Sequence, residues 1–248
     1  MAIPVQESTM NIPISVLMAA GGNTDISAEA VKSLKRHAVM NYQLVFIDNG
    51  SDPEEKLAET IRPLLGNKDV FIRNEVGRSF ARANNQALAV ADGIGILCLN
   101  NDIVAEGDWQ TPFVTEGVKY TLSGPCFRRL TTDHELKIML CKREHGKMAE
   151  ANPDDVAAYL EGWCMFIRKD AFQSIGGFDE VFWPMYCEDA DLSFRVKAMG
   201  GTLGRVECPI RHLGQQDSTR YLKNQYKDVL ATANCHRLYA RWVKGALL

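Results

Sequence analysis

Ile94-Gly95-Ile96-Leu97-Cys98-Leu99-Asn100-Asn101-Asp102 is a short apolar run closed by two amides and an acid. Without polar alternation, a run of this length predicts a strand covered on both faces, the condition of parallel sheets. Its carboxyl end then delivers Asp102 to a crevice, because ligands of open α/β sheets bind beyond the carboxyl ends of the strands. The preceding residues repeat this pattern. Ile14 to Ala20 is an apolar run stopped by Gly21-Gly22, and 24–38 predicts a helix. Leu44-Val45-Phe46-Ile47 is a second strand, broken by Asp48-Asn49-Gly50-Ser51-Asp52-Pro53. A helix over 54–65 follows, blemished by Pro63, then a strand at Val70-Phe71-Ile72 and a helix over 79–91. This βαβα order implies an α/β fold: a mostly parallel central sheet flanked by helices, with Ala20, Asp48 and Asp102 at one rim.

Beyond Asp108 the alternation lapses. A strand is expected over 118–122, and 126–160 mixes charges into an irregular hairpin or loop. Regularity returns with a strand over 162–167, a helix over 169–175 stopped by Gly176-Gly177, a helix over 189–199 and a strand over 202–206. A long helix over 219–243 closes the chain. The expected organisation is one domain over 1–218, with a nucleotide-binding half over about 12–102 and an acceptor half over about 103–218. Residues 219–248 form a C-terminal helical extension.

The chain of 248 residues is long enough for a full core, and its net charge of −3 exerts no global pull toward nucleic acid or anionic membrane. Seven cysteines without a CxxC pair indicate reduced thiols rather than a disulfide frame or zinc site. Residues 1–11 lack the pattern of a signal peptide and no run suits a membrane span, so a cytoplasmic location is expected.

Asp102, just past a buried strand, can hold Mg²⁺ or Mn²⁺ through oxygen while phosphate and water complete the coordination. The competing reading is a turn-forming acid. Asp48 has the same placement one strand earlier, suited to a nucleobase N–H or a ribose hydroxyl, or else to a loop start. Glu188-Asp189-Ala190-Asp191 crowds three acids at a helix start behind Phe182, Trp183 and Tyr186. Acids there are favoured by the helix dipole alone, and Asp191 can simply pair with Arg195 four residues on. Crowded carboxylates in an aromatic pocket also raise one pKa, as a general base requires. His212 suits a metal ligand or phosphate partner, or a structural role. The last helix carries Arg220, Lys223, Lys227, Arg237, Arg241 and Lys244, either a solvated face or one that docks on an anionic surface.

Together these blocks resemble the inverting glycosyltransferases of family 2, which have the GT-A fold, and within them a rhamnosyltransferase-like subgroup. The resemblance runs from Pro13 to about Thr219. It rests on Ile14-Ser15-Val16-Leu17, Val45-Phe46-Ile47-Asp48-Asn49-Gly50-Ser51-Asp52, the helix Phe80 to Leu88 and Leu99-Asn100-Asn101-Asp102. It continues in Gly162-Trp163-Cys164-Met165-Phe166-Ile167-Arg168, Gly176-Gly177-Phe178-Asp179-Glu180, Glu188-Asp189-Ala190-Asp191-Leu192 and His212. The resemblance implies metal-dependent transfer of a sugar from a UDP- or dTDP-type donor to a hydroxyl, with a divalent cofactor, Mn²⁺ or Mg²⁺. It places Asp48 on the base, the backbone of Ala19 and Ala20 on the ribose, and Asp102 with His212 on the metal. Asp189 would be the general base, Glu188 would fix a sugar, and Trp163 would wall it. Asn49, Asn101 and Asp191 belong to the same blocks and are expected among the substrate-binding residues.

Two positions depart from the family pattern. Asn100 replaces the first acid of the DxD-like motif and is free to bind donor sugar, and Arg78 either offers a phosphate contact that relatives lack or faces solvent. The expected acceptor is a glycan, a lipid-linked glycan, a protein or modified DNA, with peripheral membrane contact through the basic last helix. The alternatives are a non-catalytic nucleotide-sugar-binding relative and a nucleotidyltransferase. Gly21-Gly22-Asn23-Thr24-Asp25 lacks the basic residue the latter needs.

Overall fold

The structure is a computed structural model that describes residues 13–132, 138–140, 143–144, 147–148, 151–214 and 224–242. In chain order it contains β1 (Ile14–Ala20), α1 (Thr24–Arg36), β2 (Tyr42–Asn49), α2 (Leu57–Ile61), β3 (Val70–Asn74), α3 (Phe80–Val90), β4 (Gly95–Asn100), β5 (Ile103–Ala105) and α4 (Thr111–Thr115). There follow β6 (Leu122–Gly124), β7 (Phe127–Thr132), β8 (Ile138–Leu140), β9 (Arg143–Glu144), β10 (Lys147–Met148), β11 (Ala158–Leu160), β12 (Cys164–Arg168), α5 (Lys169–Ser174), α6 (Glu188–Ala198), β13 (Leu203–Arg205), β14 (Ile210–His212) and α7 (Asn224–Trp242).

Seven strands form the central sheet in the order β13-β6-β12-β4-β1-β2-β3. β4, β1, β2 and β3 run parallel, so their carboxyl ends share one rim. β12 inserts antiparallel between β4 and β6, which brings its start, Cys164, opposite Leu99 at that same rim. Successive side chains of a strand face opposite ways. Accordingly Val16 and Met18 pack under α1 with Val31, Leu34 and Phe46. Leu17 packs on the other side with Ala81, Ala87 and Leu88 of α3. The sheet is thus covered on both faces, as the apolar runs imply.

Three local expectations need correction. The helix over 54–65 is divided into a 3-10 turn (Pro53–Glu55), α2 and a second 3-10 turn (Arg62–Leu64). Lys56 between the first two has φ 53°, and Pro63 supplies no N–H for a continued helix. The strand over 118–122 is a 3-10 turn, Gly117–Lys119, with β6 starting only at Leu122. The irregular stretch 126–160 contains a three-stranded sheet, β11-β7-β8, beside the β9-β10 hairpin.

The turn after β2 requires a glycine. Gly50 has φ 78°, and a Cβ there would lie 2.5 Å from the Gly77 nitrogen. Gly50→Ala is expected to cost about 1–3 kcal/mol or more through backbone strain alone. Urea unfolding measures this, and an unchanged midpoint would contradict it. No helix among the described residues is long and apolar enough to cross a membrane.

Candidate active site

The rim of the sheet collects the candidate residues. Asp48 ends β2 with its side chain fully enclosed, paired with Arg73, its register neighbour on β3. Its Oδ1 accepts from the Ser51 N–H at 3.0 Å. Each carboxylate oxygen retains a second acceptor direction, though none of the side chain is open to solvent here. Ala19 and Ala20 close β1 beside it.

The Asn49 amide is engaged within the protein. Its Oδ1 accepts from the Arg78 N–H (3.0 Å) and from Asn74 Nδ2 (3.1 Å), and its own Nδ2 donates to the Arg78 carbonyl (2.9 Å). Both lone-pair directions of Oδ1 and one of the two Nδ2 hydrogens therefore fix the loop after β3. The Arg78 guanidinium makes no polar contact among the described residues, so a backbone clamped at both ends presents an uncommitted cation. Asn101 Nδ2 donates to Ser27 Oγ at 2.9 Å, tying the turn after β4 to α1.

Asp102 lies beyond β4 and is almost wholly buried. The antiparallel pair β14–β5 sets His212 opposite Ile103, next to that acid. His212 Nε2 is 3.1 Å from Asp102 Oδ1 and 3.5 Å from Asn100 Nδ2. The Trp163 ring stacks on the imidazole, centroids 4.9 Å apart and planes 4° from parallel. One carboxylate oxygen and one imidazole nitrogen this close suit a divalent cation that takes its remaining ligands from phosphate and water. No third histidine, cysteine or acid joins them among the described residues. Asn100 in place of an acid leaves the set one charge poorer.

The acid cluster opens α6. Asp189 Oδ2 accepts from the Gly162 N–H at 2.9 Å, and Oδ1 accepts from the Ala190 N–H at 2.8 Å. Gly162 matters by its size, since a Cβ there would come within 3.3 Å of the Asp189 side chain. Burial pushes Asp189 up to about 6 against those two stabilising N–H bonds. One edge of the residue remains open to solvent.

Glu188 is 6% exposed and its Oε2 has no hydrogen-bond partner. Burial, followed by the charge of Asp189, holds its carboxyl well above the usual range. A folded-state pKa above the unfolded value of about 4.3 gives a contribution present below that value and lost as pH rises. Ligand-free Glu188→Gln, which cannot ionise, is therefore expected to gain stability over the native chain between pH 5 and pH 8. Thermal unfolding at both values checks it; a gap that narrows with pH is the contrary result.

Asp191 lies at an internal junction. It is fully buried; Arg195 Nε donates to Oδ2 at 2.7 Å, while Arg241 Nη1 (2.7 Å) and Trp242 Nε1 (2.9 Å) donate to Oδ1. Its carboxylate is committed to a junction of α6 with α7 rather than to a substrate. The pairing with Arg195 does form, but inside the protein. Arg237 and Arg241 of the last helix stay exposed but engage Asn234 and Asp179 respectively. The side chains of Arg220, Lys223, Lys227 and Lys244 lie outside the described residues.

Gly162-Trp163 joins the two halves of the site. The amide of Gly162 touches Asp189, the ring of Trp163 touches His212, and the Trp163 carbonyl accepts from the Asn100 N–H at 2.9 Å. Asp102, His212, Asn100, Trp163 and Asp189 are thus linked by direct contacts at one rim. Arg73, Gly162, Arg241 and Trp242 are the participants that sequence reasoning missed. Only Gly162 left a signal, as the glycine that opens the β12 block.

Comparison with known proteins agrees with this architecture. The putative colanic acid biosynthesis glycosyl transferase WcaA of Escherichia coli (strain K12) is 25% identical over 89 residues, covering 36% of this chain and 32% of that protein. The crystal structure of GalNAc-T7 with UDP, GalNAc and Mn²⁺ superposes with a TM-score of 0.70 at 16% identity, covering 93% of this chain and 48% of that one. The chain therefore spans about a third and about half of these two relatives, and the second likeness establishes the GT-A fold. The family model described as glycosyl transferase family 2 matches residues 15–176, well over half of the sequence, and the chain belongs to that family.

Proposed function

We propose that the protein is an inverting, metal-dependent glycosyltransferase that moves a sugar from a UDP- or dTDP-type donor to a hydroxyl acceptor. The contact chain Asp102–His212–Trp163–Gly162–Asp189 supports this reading, because in it the pair suited to a cation and the acid suited to act as base are joined through direct neighbours. The half over 12–102 takes the nucleotide. Asp48 receives the base, the end of β1 approaches the ribose, and Arg78 reaches the diphosphate. Asn100 faces the donor sugar. Asp102 and His212 are the residues that would hold a divalent ion, which when bound would supply positive charge against that building on the departing diphosphate.

Asp189, mostly ionised at pH 7 with a pKa of about 6, accepts the proton of the acceptor hydroxyl. As it does so, the acceptor oxygen bonds to the anomeric carbon and the bond from that carbon to the diphosphate oxygen breaks, with inversion. The N–H groups of Gly162 and Ala190 hold the carboxylate in line, so that its orientation need not be bought at each turnover. Glu188, buried without a partner on Oε2, is left to receive a sugar hydroxyl, and Trp163 walls the same space.

The GalNAc-T7 structure contains UDP and Mn²⁺, which favours UDP among donors, and the colanic acid assignment of WcaA favours a glycan acceptor. Thermal shift across a nucleotide-sugar panel, with and without Mn²⁺, tests the reading. Stabilisation by one nucleotide class that grows with Mn²⁺ is expected. Indifference to every donor overturns it.

A further inference from the structure

The family match ends at residue 176, so neither α6 nor α7 falls within it. One stripe of α7 nevertheless follows the segment that leads into the acid pair. Asn234, fully buried, donates its Nδ2 to the carbonyls of Met185 (2.8 Å) and Trp183 (3.2 Å). Arg237 braces Asn234 Oδ1 at 2.7 Å and reaches the Val181 carbonyl at 3.4 Å. Arg241 spans Asp179 (2.8 Å) and Asp191 (2.7 Å), and Trp242 adds its N–H to Asp191 while packing on Phe194. The spacing 234, 237, 241 is that of a single helix face, with Trp242 on the adjoining one. Cys235, Leu238 and Trp242 fill the layer beneath, against Phe182, Cys187 and Ala190.

What this stripe holds is strained. Tyr186 and Cys187 both have positive φ, 71° and 76°, immediately before Glu188. Two consecutive non-glycine residues in that region persist only where the surroundings over-determine them. The carbonyls on Asn234 lie just before this turn and Asp191 just after it, so α7 grips both sides of the bend that aims Glu188 and Asp189.

We propose that α7 is a working part of the site: Asn234, Arg241 and Trp242 are positioning residues that set the 179–191 segment, and with it Asp189, for attack on the donor. This rests on the transferase reading above. The helix acts on the Glu188–Asp189 side of the site, since none of the hydrogen bonds and ring contacts named above reaches β1, β2 or the Asp102–His212 pair. Loosening it should therefore separate turnover from nucleotide binding.

The experiment uses the full chain with Mn²⁺ and compares Trp242→Phe, Asn234→Leu, Arg241→Gln and Arg241→Lys. UDP affinity is read by calorimetry and donor turnover by release of UDP from the nucleotide-sugar the native chain accepts. Asn234→Leu and Arg241→Gln are expected to lower turnover toward about 10²-fold, the cost of a displaced catalytic group, with UDP affinity within about twofold. Trp242→Phe, which keeps the ring and removes one N–H, should fall less, and Arg241→Lys should recover part of the Arg241→Gln loss. Variants that turn over like the native chain, or that lose UDP binding in parallel with turnover, overturn the positioning role. A native chain that binds no UDP and consumes no donor instead defeats the transferase reading, a separate outcome.

Discussion

Asp189→Asn is expected to lower turnover by about 10²–10⁴-fold, the usual contribution of a positioned base, while UDP affinity in Mn²⁺ stays within about twofold. The substitution keeps the volume and the acceptor to one of the two N–H groups. It removes the only member of the α6 acid cluster that combines solvent access with a moderately raised pKa. Glu188 is held protonated more strongly by burial, and Asp191 is consumed by Arg195, Arg241 and Trp242. Neither can substitute as base without rearranging the helix.

The pH dependence has a definite sign. A base must be ionised to act, so kcat should fall as pH drops through about 6, tenfold per unit below it. Asp189→Asn should lose that acid limb along with the rate. Turnover near the native value, or an unchanged limb in the variant, would remove Asp189 from the chemistry. Initial rates from pH 5 to 8 decide both points.

The sheet was legible in the sequence because buried parallel strands are continuous apolar runs: Val16-Leu17-Met18 and Leu97-Cys98-Leu99 are covered on both faces. The rim acids Asp48 and Asp102 followed from strand ends. What stayed hidden depended on residues distant in sequence. Glu188, Asp189 and Asp191 look alike as first-turn acids, and contacts such as Gly162, 27 residues before Asp189, and Trp242, 51 residues after Asp191, set their surroundings apart. Asn49 and Asn101 sit in blocks suited to ligand contact, yet their amides close internal bonds to Arg78 and Ser27. Short asparagines serve either purpose, and local sequence does not reveal which backbone will approach. α2 was overextended because an apolar periodicity continues through Lys56 and Pro63, where the backbone cannot.

Asp102→Asn should abolish Mn²⁺-dependent stabilisation, the largest effect expected away from the base. A cation that binds only the folded chain stabilises it by RT ln(1 + [L]/Kd), about 2.7 kcal/mol at a hundredfold excess over Kd. With Asn100 already neutral, Asp102 is the sole carboxylate beside His212 among the described residues, so its loss leaves an uncharged donor set. Hard divalent ions require anionic oxygen, and a further amide does not replace it. His212→Ala should weaken the ion less, because it removes a neutral ligand, but it also strips the ring on which Trp163 stacks. Melting temperatures of the native chain and both variants, with UDP present and Mn²⁺ titrated, rank these effects without any turnover assay. The expected order of Mn²⁺ response is native, then His212→Ala, then Asp102→Asn near zero. A native chain whose melting temperature ignores Mn²⁺ would instead make Asp102–His212 an ordinary buried pair, and would leave Arg78 as the cation facing the diphosphate.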